Sequence, residues 1–381
     1  MASATKDRKR GTSATGITFN RETLLAAVKG VAAAVPSRSP KPIIQNVLLH
    51  KGHLRGTDLE LSISYGMPWT DDPMLLPHAR LRSILENSTG EEVTLTPDGS
   101  ACVVRSGRGE WRLPVEDPLE FPAWEPDGMR LIARVPADQF CRAVRSVVYA
   151  TDNESSRYAL GAVCIEYERQ KGKLSFVATD GRRLSACHMV LGDNQDPDDS
   201  QTLVPERAIR AIASLASHTD GFVQLESNGK EVVASCDDAS VTARLVDGRF
   251  PRWRDVFPDR PDAKLHTVNI DALWHATRAA AIVTTEQSKG VDYAFTESGL
   301  TLSGRSAESG ESTVACDVVE SGSACTVKLD PVFVDQACRA LLSLEGEPSV
   351  RISVAGKGDA VVFTYGEDDE YRSVIMPLAH D

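Results

Sequence analysis

The sequence lacks the segments that would place a chain in or across a membrane. It contains no apolar run of about 18 residues, the usual minimum for a transmembrane helix. The opening stretch MASATKDRKRGTSATG is small, polar and basic, with no hydrophobic signal core. We therefore expect no membrane partner, and we interpret residues 1–15 as a disordered tail.

Cysteine is present but lacks the spacings that would give it a structural role. The eight cysteines form no CxxC pair and no Cys/His pattern suited to a metal. Most of them lie in apolar patterns, as buried free thiols do. The spacing argues against a disulfide framework and a metal site, and it predicts a reducing, cytoplasmic setting.

Signatures of catalysis are missing as well. No GxxxxGKS phosphate loop, nucleophile elbow or HExxH motif occurs, so we expect neither catalytic residues nor a cofactor. The formal net charge is −12, and an acidic protein repels nucleic acid over most of its surface. Any contact with DNA must therefore depend on how the cations are distributed.

What the sequence does contain is one pattern repeated three times. The segments ITFNRETLLAAVKGVAAAV, ARVPADQFCRAVRSVVYA and HTVNIDALWHATRAAAIV begin at Ile17, Ala133 and His266. When they are aligned on Leu24, Phe140 and Leu273, apolar residues recur at i, i+4, i+7 and i+8 in the first two segments and at i, i+7 and i+8 in the third. This spacing predicts an amphipathic helix in each segment.

Each repeat continues with hairpins and a second helix. Gly-containing turns separate strand patterns, with alternation at Leu59, Leu61 and Ile63, and the second helices are predicted in PHARLRSILEN, PERAIRAIASLAS and DPVFVDQACRALLSL. Two helices and about eight strands per repeat indicate an α+β class with helices packed on antiparallel sheets. We predict three domains, 16–132, 133–264 and 265–381.

Cations recur along with the core pattern. All six predicted helices carry one at an equivalent position off the apolar stripe, and the middle repeat has two more: Lys29, Arg82, Arg145, Arg210, Arg278 and Arg339, with Arg142 and Arg207. Any one of these residues is most simply a solvated helix side chain. Their recurrence in an acidic chain favours a shared basic surface that binds a phosphate backbone without reading sequence.

The stretch FVATDGRRLSAC at 176–187 places a turn and two arginines inside a strand region. Asp180 and Asp58 occupy matching positions, which raises the alternative of paired catalytic carboxylates. The third repeat has Gly304-Arg305 there instead. We therefore interpret each Thr-Asp pair as a turn in which the aspartate caps its own backbone. Likewise His275 is interpreted as a surface residue and the tryptophans as packing residues.

Four phrases carry a family resemblance: GTDLEL at 56–61, ATDGRRL at 178–184, VDGRFPRWRDVFP at 246–258 and YRSVIMPL at 371–378. With the threefold repeat, they make residues 16–378 resemble the β sliding clamps, the processivity rings of bacterial DNA polymerase III. The resemblance implies a head-to-tail homodimer that encircles double-stranded DNA, with helices lining the hole. It also implies that Arg38, Arg157 and Tyr158 contact DNA.

The resemblance further implies a pocket between the second and third domains. This pocket would receive short linear peptides from the replicative polymerase, the clamp loader and repair proteins. By position its wall consists of Leu160, Thr179, Gly181, Arg182, Arg183, Leu184, Pro251, Val256, Val374, Ile375, Met376, Pro377 and Leu378. Apolar members would hold peptide side chains, and Arg182 or Arg183 would pair with an acidic or polar peptide group.

The sequence departs from the family at several of these places. Asp255 replaces a basic residue, Arg182 replaces a common histidine, Ser288 replaces a frequent aromatic, and the chain ends in Ala-His-Asp. These departures predict an altered peptide preference. Two other functions remain as alternatives: a clamp-like scaffold that is not loaded on DNA, and a metal-dependent nuclease using Asp58, Asp180 and Asp255.

Overall fold

The structure is a computed structural model. It describes residues 16–379 apart from 70–71, 123, 153–157, 193–196, 258–262, 286–289, 345 and 347. The predicted N-terminal tail, 1–15, lies outside the described residues. The chain divides into two compact units, Met1–Glu125 with Asp238–Thr242, and Pro126–Asp237 with Ala243–Asp381. Each unit is described by itself below.

The first unit contains the first of the predicted helix pairs. Its elements are β1 Ile17–Asn20, α1 Arg21–Gly30, β2 Asn46–His50, β3 His53–Thr57, β4 Leu61–Gly66, β5 Met74–Pro77, α2 His78–Asn87, β6 Glu92–Asp98, β7 Ala101–Ser106 and β8 Gly109–Pro114. The strands form antiparallel sheets in the orders β1-β6-β7-β8 and β5-β2-β3-β4. Leu24 and Val28 of α1 and Leu81 and Leu85 of α2 are buried, so the predicted apolar stripes do face the core.

Within its described residues, the second unit contains four α-helices. Its first half comprises β9 Arg130–Pro136, α3 Ala137–Val147, β10 Ala162–Glu168, β11 Lys173–Thr179, β12 Arg183–Val190, β13 Ser200–Pro205, α4 Glu206–Ala216, β14 Phe222–Ser227, β15 Glu231–Cys236 and β16 Ala239–Arg244, of which 239–242 belong to the first unit. Its second half comprises β17 Lys264–Asn269, α5 Ile270–Ala280, β18 Val291–Thr296, β19 Gly299–Ser306, β20 Gly310–Cys316, β21 Val318–Glu320, β22 Cys325–Leu329, α6 Pro331–Leu342, β23 Ser349–Val354, β24 Val361–Tyr365 and β25 Tyr371–Ile375.

The largest sheet of this unit joins strands from both halves. Nine strands run in the order β13-β10-β11-β12-β25-β24-β23-β17-β21. The seam is the antiparallel pair β12–β25, in which Leu184 lies opposite Val374 and Arg183 opposite Ile375. A smaller sheet has the order β20-β19-β18-β22. Because its hydrogen bonds cross from one half to the other, the seam fixes where residues 179–184 and 371–376 lie relative to each other.

Local sequence explains where the helices begin. The side chain of Asn20 accepts hydrogen bonds from the backbone N–H groups of Glu22 and Thr23 at 2.9 and 3.1 Å. Asn269 caps α5 in the same way through Ala272 N–H, and Asp330 caps α6 through Val332 N–H. Each cap satisfies backbone donors that would otherwise have no partner in the first turn.

The predicted fold class is confirmed: α+β repeats in which helices pack on antiparallel sheets. The strand alternation was wrong at one position. Leu59 does not continue a strand; it lies in the turn before β4 with φ +82°, a left-handed conformation that suits the turn. None of the helices within the described residues is both long and apolar enough to span a bilayer. The three domain boundaries remain a prediction.

Candidate functional site

An apolar cleft of about 400 Å³ lies beside the β12–β25 seam of the second unit. Three parts of the chain form it: the short 3₁₀ segment Tyr158–Gly161, the turn and strand at 179–184, and the irregular segment around 249–256. The side chains of β25 and its continuation close it. The lining residues are Ala159, Leu160, Thr179, Gly181, Arg182, Arg183, Leu184, Arg249, Pro251, Val256, Val374 and Met376.

The turn at Thr179–Arg182 is held by its own side chains. Asp180 Oδ1 accepts hydrogen bonds from the backbone N–H groups of Arg182 and Arg183, both at 2.9 Å. The Thr179 hydroxyl donates to Arg183 O at 2.6 Å and accepts from Gly181 N–H at 3.1 Å. Gly181 has φ +87°, which a glycine adopts without strain. The prediction of a backbone-capping aspartate is therefore confirmed.

The matching turn in the first unit is built in the same way. Asp58 Oδ1 accepts from the backbone N–H groups of Glu60 and Leu61 at 3.0 and 2.8 Å. Both carboxylates thus bind their own backbone, which is the local structural role that their sequence context indicated. Within the described residues, no group of three or more His, Cys, Asp or Glu side chains is placed to hold a metal ion.

The two neighbouring arginines have different environments. Arg183 is buried, and its guanidinium donates to Asp180 Oδ2 at 3.0 Å, to Tyr149 O at 2.6 Å and to Gln336 Oε1. All three of its nitrogens are therefore engaged within the protein. Arg182 is exposed, with its guanidinium 5.2 Å from the centre of the Phe333 ring. Of the two, Arg182 is the one free to meet an incoming anionic group.

The C-terminal end of β25 forms the opposite wall. Met376 donates its N–H to Arg182 O at 2.9 Å, and Leu378 donates to Lys328 O at 2.8 Å. These two hydrogen bonds hold the chain that follows β25 against the turn at Arg182 and against strand β22. Met376 is 42% exposed, whereas Val374 is buried at the base of the cleft. A flexible thioether at the rim can adapt to different apolar side chains.

Most of the predicted pocket residues do come together in this cleft. Three do not line it: Ile375, Pro377 and Leu378. Ile375 points to the other side of the strand and packs in the core with α5 and α6, because successive side chains of a strand face opposite ways. Two lining residues were missed, Ala159 and Arg249, although Arg249 lies inside VDGRFPRWRDVFP, one of the phrases that carried the resemblance.

The helix cations are on the outer faces of their helices, and several are paired with acids. Lys29 and Arg82 both contact Glu86, at 3.4 and 3.0 Å. Arg210 pairs with Glu206 at 2.7 Å and Arg339 with Asp335 at 3.0 Å. The cations of these pairs are 43–60% exposed, so solvent screens the pairs, which contribute little to stability and can exchange partners.

The remaining cations have other neighbours. Arg145 is exposed and donates from Nε to Cys141 O at 3.1 Å. Arg278 lies with its guanidinium 5.0 Å from the centre of the Trp274 ring, and Arg142 contacts Glu370 at 3.5 Å. Arg207 and Arg38 are exposed. Arg157 and Ser288 lie outside the described residues, as does the side chain of Tyr158.

The cysteines are held as thiols. All eight are free, and all but Cys325 are buried. Burial raises the pKa of Cys187 to about 11, and the same cause raises the pKa of Cys102 to about 11. A thiol with such a raised pKa is a poor nucleophile near neutral pH.

His275 is exposed and its Nε2 lies 3.6 Å from Asp271 Oδ1 on the same helix, as expected for a surface residue.

Comparison with known proteins matches successive parts of the chain to the three domains of one protein family. Family models for the DNA polymerase III beta subunit match residues 15–125 as the N-terminal domain, 134–252 as the central domain and 254–379 as the C-terminal domain. The beta sliding clamp of Escherichia coli K12 is 26% identical over 370 residues, covering 95% of this chain and 99% of the relative. The beta sliding clamp of Caulobacter vibrioides is 26% identical over 377 residues, covering 95% and 99%.

Solved structures show the same fold. A sliding clamp from Pseudomonas aeruginosa bound to griselimycin has a TM-score of 0.88 at 24% identity, covering 96% of this chain and 100% of that chain. A DNA polymerase sliding clamp from Bacillus subtilis also has a TM-score of 0.88, at 20% identity, covering 97% and 100%. The repeated helix pairs, their sheets and the apolar cleft are those of a sliding clamp. The chain belongs to the DNA polymerase III beta subunit family.

Proposed function

We propose that this clamp tethers the replicative polymerase to duplex DNA and that its partners bind through short peptides in the cleft. The observation that carries the proposal is the combination of an apolar base at Leu184 and Val374, an adaptable rim residue at Met376, and an exposed cation at Arg182. Such a site accepts a short peptide with apolar side chains and one acidic or polar group. Polymerase, clamp loader and repair proteins would compete for it.

The helix cations would form the DNA-facing surface. Their exposed guanidinium and ammonium groups suit phosphate oxygens, and contacts of this kind do not depend on base sequence. The acids paired with Lys29, Arg82, Arg210 and Arg339 limit the net positive charge there. A clamp that slides needs contacts that are weak and readily exchanged, so this pairing is compatible with movement along the duplex. We propose no catalytic residue, no cofactor and a cytoplasmic location.

Two copies would join head to tail to surround the DNA. Ile282, just after α5, is 79% exposed, and β20 is an edge strand of its sheet. An exposed isoleucine beside a free strand edge is costly for a monomer and suits burial against a second chain. Sedimentation should show a dimer at micromolar concentration, and Ile282→Asp should shift the equilibrium toward the monomer. A wild-type chain that sediments only as a monomer would contradict the head-to-tail arrangement.

The decisive experiment is topological retention on DNA. The protein is loaded on a nicked circular plasmid by the clamp loader and separated from free protein by gel filtration. We expect it to remain on the circle and to be lost once a restriction enzyme linearises the DNA. Equal retention on both forms would indicate ordinary binding and contradict encirclement.

A second candidate function is a scaffold that binds peptides without being loaded on DNA. It is favoured by the net charge of −12 and by the acids that neutralise several helix cations. The same plasmid experiment separates the two functions, because the scaffold would bind partner peptides normally yet elute entirely as free protein.

In the proposed clamp, the three proposed domains, 16–132, 133–264 and 265–381, would each contribute one helix pair to the DNA-facing side.

A further inference from the structure

One wall of the cleft is the irregular segment 251–256, whose position depends on contacts with the rest of the protein. Pro251 and Val256 provide the wall, and both are exposed. Between them the chain forms only a single 3₁₀ turn, Trp253–Val256. A segment this short has few internal hydrogen bonds, so contacts with neighbouring strands must determine its position.

Two of these contacts come from Glu166 on β10. Its Oε2 accepts a hydrogen bond from Trp253 Nε1–H at 2.9 Å, and its Oε1 accepts from Arg254 Nη1 at 3.0 Å. The carboxylate is 18% exposed. Arg254 Nη1 also lies 3.2 Å from Oε2, so one side chain of the sheet binds two consecutive residues of the wall.

Aromatic and cationic groups pack around this carboxylate. The Arg254 guanidinium lies 4.1 Å from the centre of the Trp253 ring and also binds Glu168 Oε1. The Trp253 and Phe257 rings meet edge to face at 6.1 Å, and the Arg372 guanidinium lies 4.2 Å from the Phe257 ring. Trp253 is buried in the cluster that includes Leu184 and Val374 of the cleft. The Trp253 indole thus connects the wall at 251–256 to the base of the cleft at Leu184 and Val374.

We propose that Glu166 is a positioning residue for the peptide cleft. By fixing Trp253 and Arg254, it fixes the distance between Val256 on one wall and Met376 on the other before any peptide arrives. This inference rests on the proposed function, since it assigns to Glu166 a part in peptide binding at that site. The physical reason is preorganisation, because a wall that is already placed loses less conformational freedom on binding.

The test uses three variants of the full-length chain. Glu166→Ala removes both hydrogen bonds, while Glu166→Gln keeps an oxygen that can accept from Trp253. Glu226→Ala is the control, because it removes an acid from β14, a strand that does not line the cleft, and leaves both Glu166 and Glu168 in place. Binding is measured by fluorescence anisotropy with a labelled peptide from the clamp-binding segment of the host's replicative polymerase.

Two further readouts separate positioning from general damage. In ¹⁵N-tryptophan-labelled protein, the indole resonance of Trp253, assigned with Trp253→Phe, reports the hydrogen bond to Glu166 directly. Retention on nicked circular DNA reports an intact clamp. We expect Glu166→Ala to move the indole resonance and to weaken peptide binding about tenfold, the scale of a hydrogen bond to a charged group. Retention should stay at the wild-type level.

The variants should rank in a defined order. Glu166→Gln should recover most of the affinity, to within about threefold of wild type, and Glu226→Ala should change it by less than about twofold. If the wild-type protein binds the peptide and Glu166→Ala binds it equally well despite a moved indole resonance, the positioning role is wrong while the proposed cleft stands. A wild-type protein that binds no peptide would overturn the proposed function, and this inference with it.

Discussion

Replacing Arg183 with alanine should destabilise the protein far more than replacing its neighbour Arg182. The Arg183 side chain is 8% exposed and that of its partner Asp180 is 10% exposed. Removing the guanidinium would leave the Asp180 carboxylate without its 3.0 Å ion-pair partner, and Tyr149 O without a 2.6 Å hydrogen bond. Breaking a buried ion pair by removing one partner typically costs about 3–5 kcal/mol, because the remaining charge is left desolvated.

Arg182→Ala is the matched control for this prediction. Its side chain is exposed, so its loss should change the free energy of unfolding by less than about 0.5 kcal/mol. Urea denaturation followed by circular dichroism compares the two variants under identical conditions. Arg183→Ala should unfold at a clearly lower urea concentration, and Arg182→Ala at nearly that of wild type.

Peptide binding supplies the other half of the comparison. Arg182→Ala should weaken binding of peptides that carry an acidic residue and should leave apolar peptides nearly unaffected, because a charge at the rim mainly sets specificity. Equal unfolding midpoints for the two alanine variants would refute the assignment of Arg183 as a structural residue. It would also mean that the three guanidinium contacts contribute nothing net to stability.

Three further predictions concern other parts of the chain. Reversing the charge at Arg145, Arg210 and Arg278 together should weaken DNA retention and flatten its salt dependence, since fewer counterions are released; an unchanged salt slope would count against the basic surface. Met376→Ala should weaken peptide binding by about 1–2 kcal/mol in an anisotropy titration, the usual scale for truncating an apolar anchor, and undiminished binding would place the peptide elsewhere. Burial, with smaller contributions from Lys173, Arg254 and Arg372, lowers the pKa of His188 from 6.5 to about 3. The unfolded chain therefore binds the extra proton. Stability should be full above pH 6.5 and should fall below it by about 1.4 kcal/mol per pH unit from this residue. His188→Gln should flatten this part of the curve of unfolding free energy against pH, and an unchanged slope would contradict the role of His188.

The sequence by itself was sufficient for the repeated architecture. Apolar residues at helical spacing marked the six α-helices seen in the described part of the chain, because a helix at the surface of a domain must bury one face whatever surrounds it. The Thr-Asp turns were predictable for a similar reason, since Asp58 and Asp180 bind backbone groups only two and three residues away. Both features depend only on residues close together in the chain, so they can be predicted from the order of the residues.

The composition of the cleft needed the tertiary structure. Arg182 and Arg183 look alike in sequence, yet only the fold brings Tyr149 O and Gln336 to Arg183 and leaves Arg182 in solvent. Ile375 was wrongly expected to line the cleft because the strand register that turns it inward is set by pairing with β12.

Glu166 gave no signal at all in the sequence, because its partner Trp253 lies 87 residues further along the chain. A single carboxylate in a strand is ordinary until a distant segment is folded against it. Contacts between residues so far apart depend on chain closure and packing, and only the folded structure determines which side chains they join.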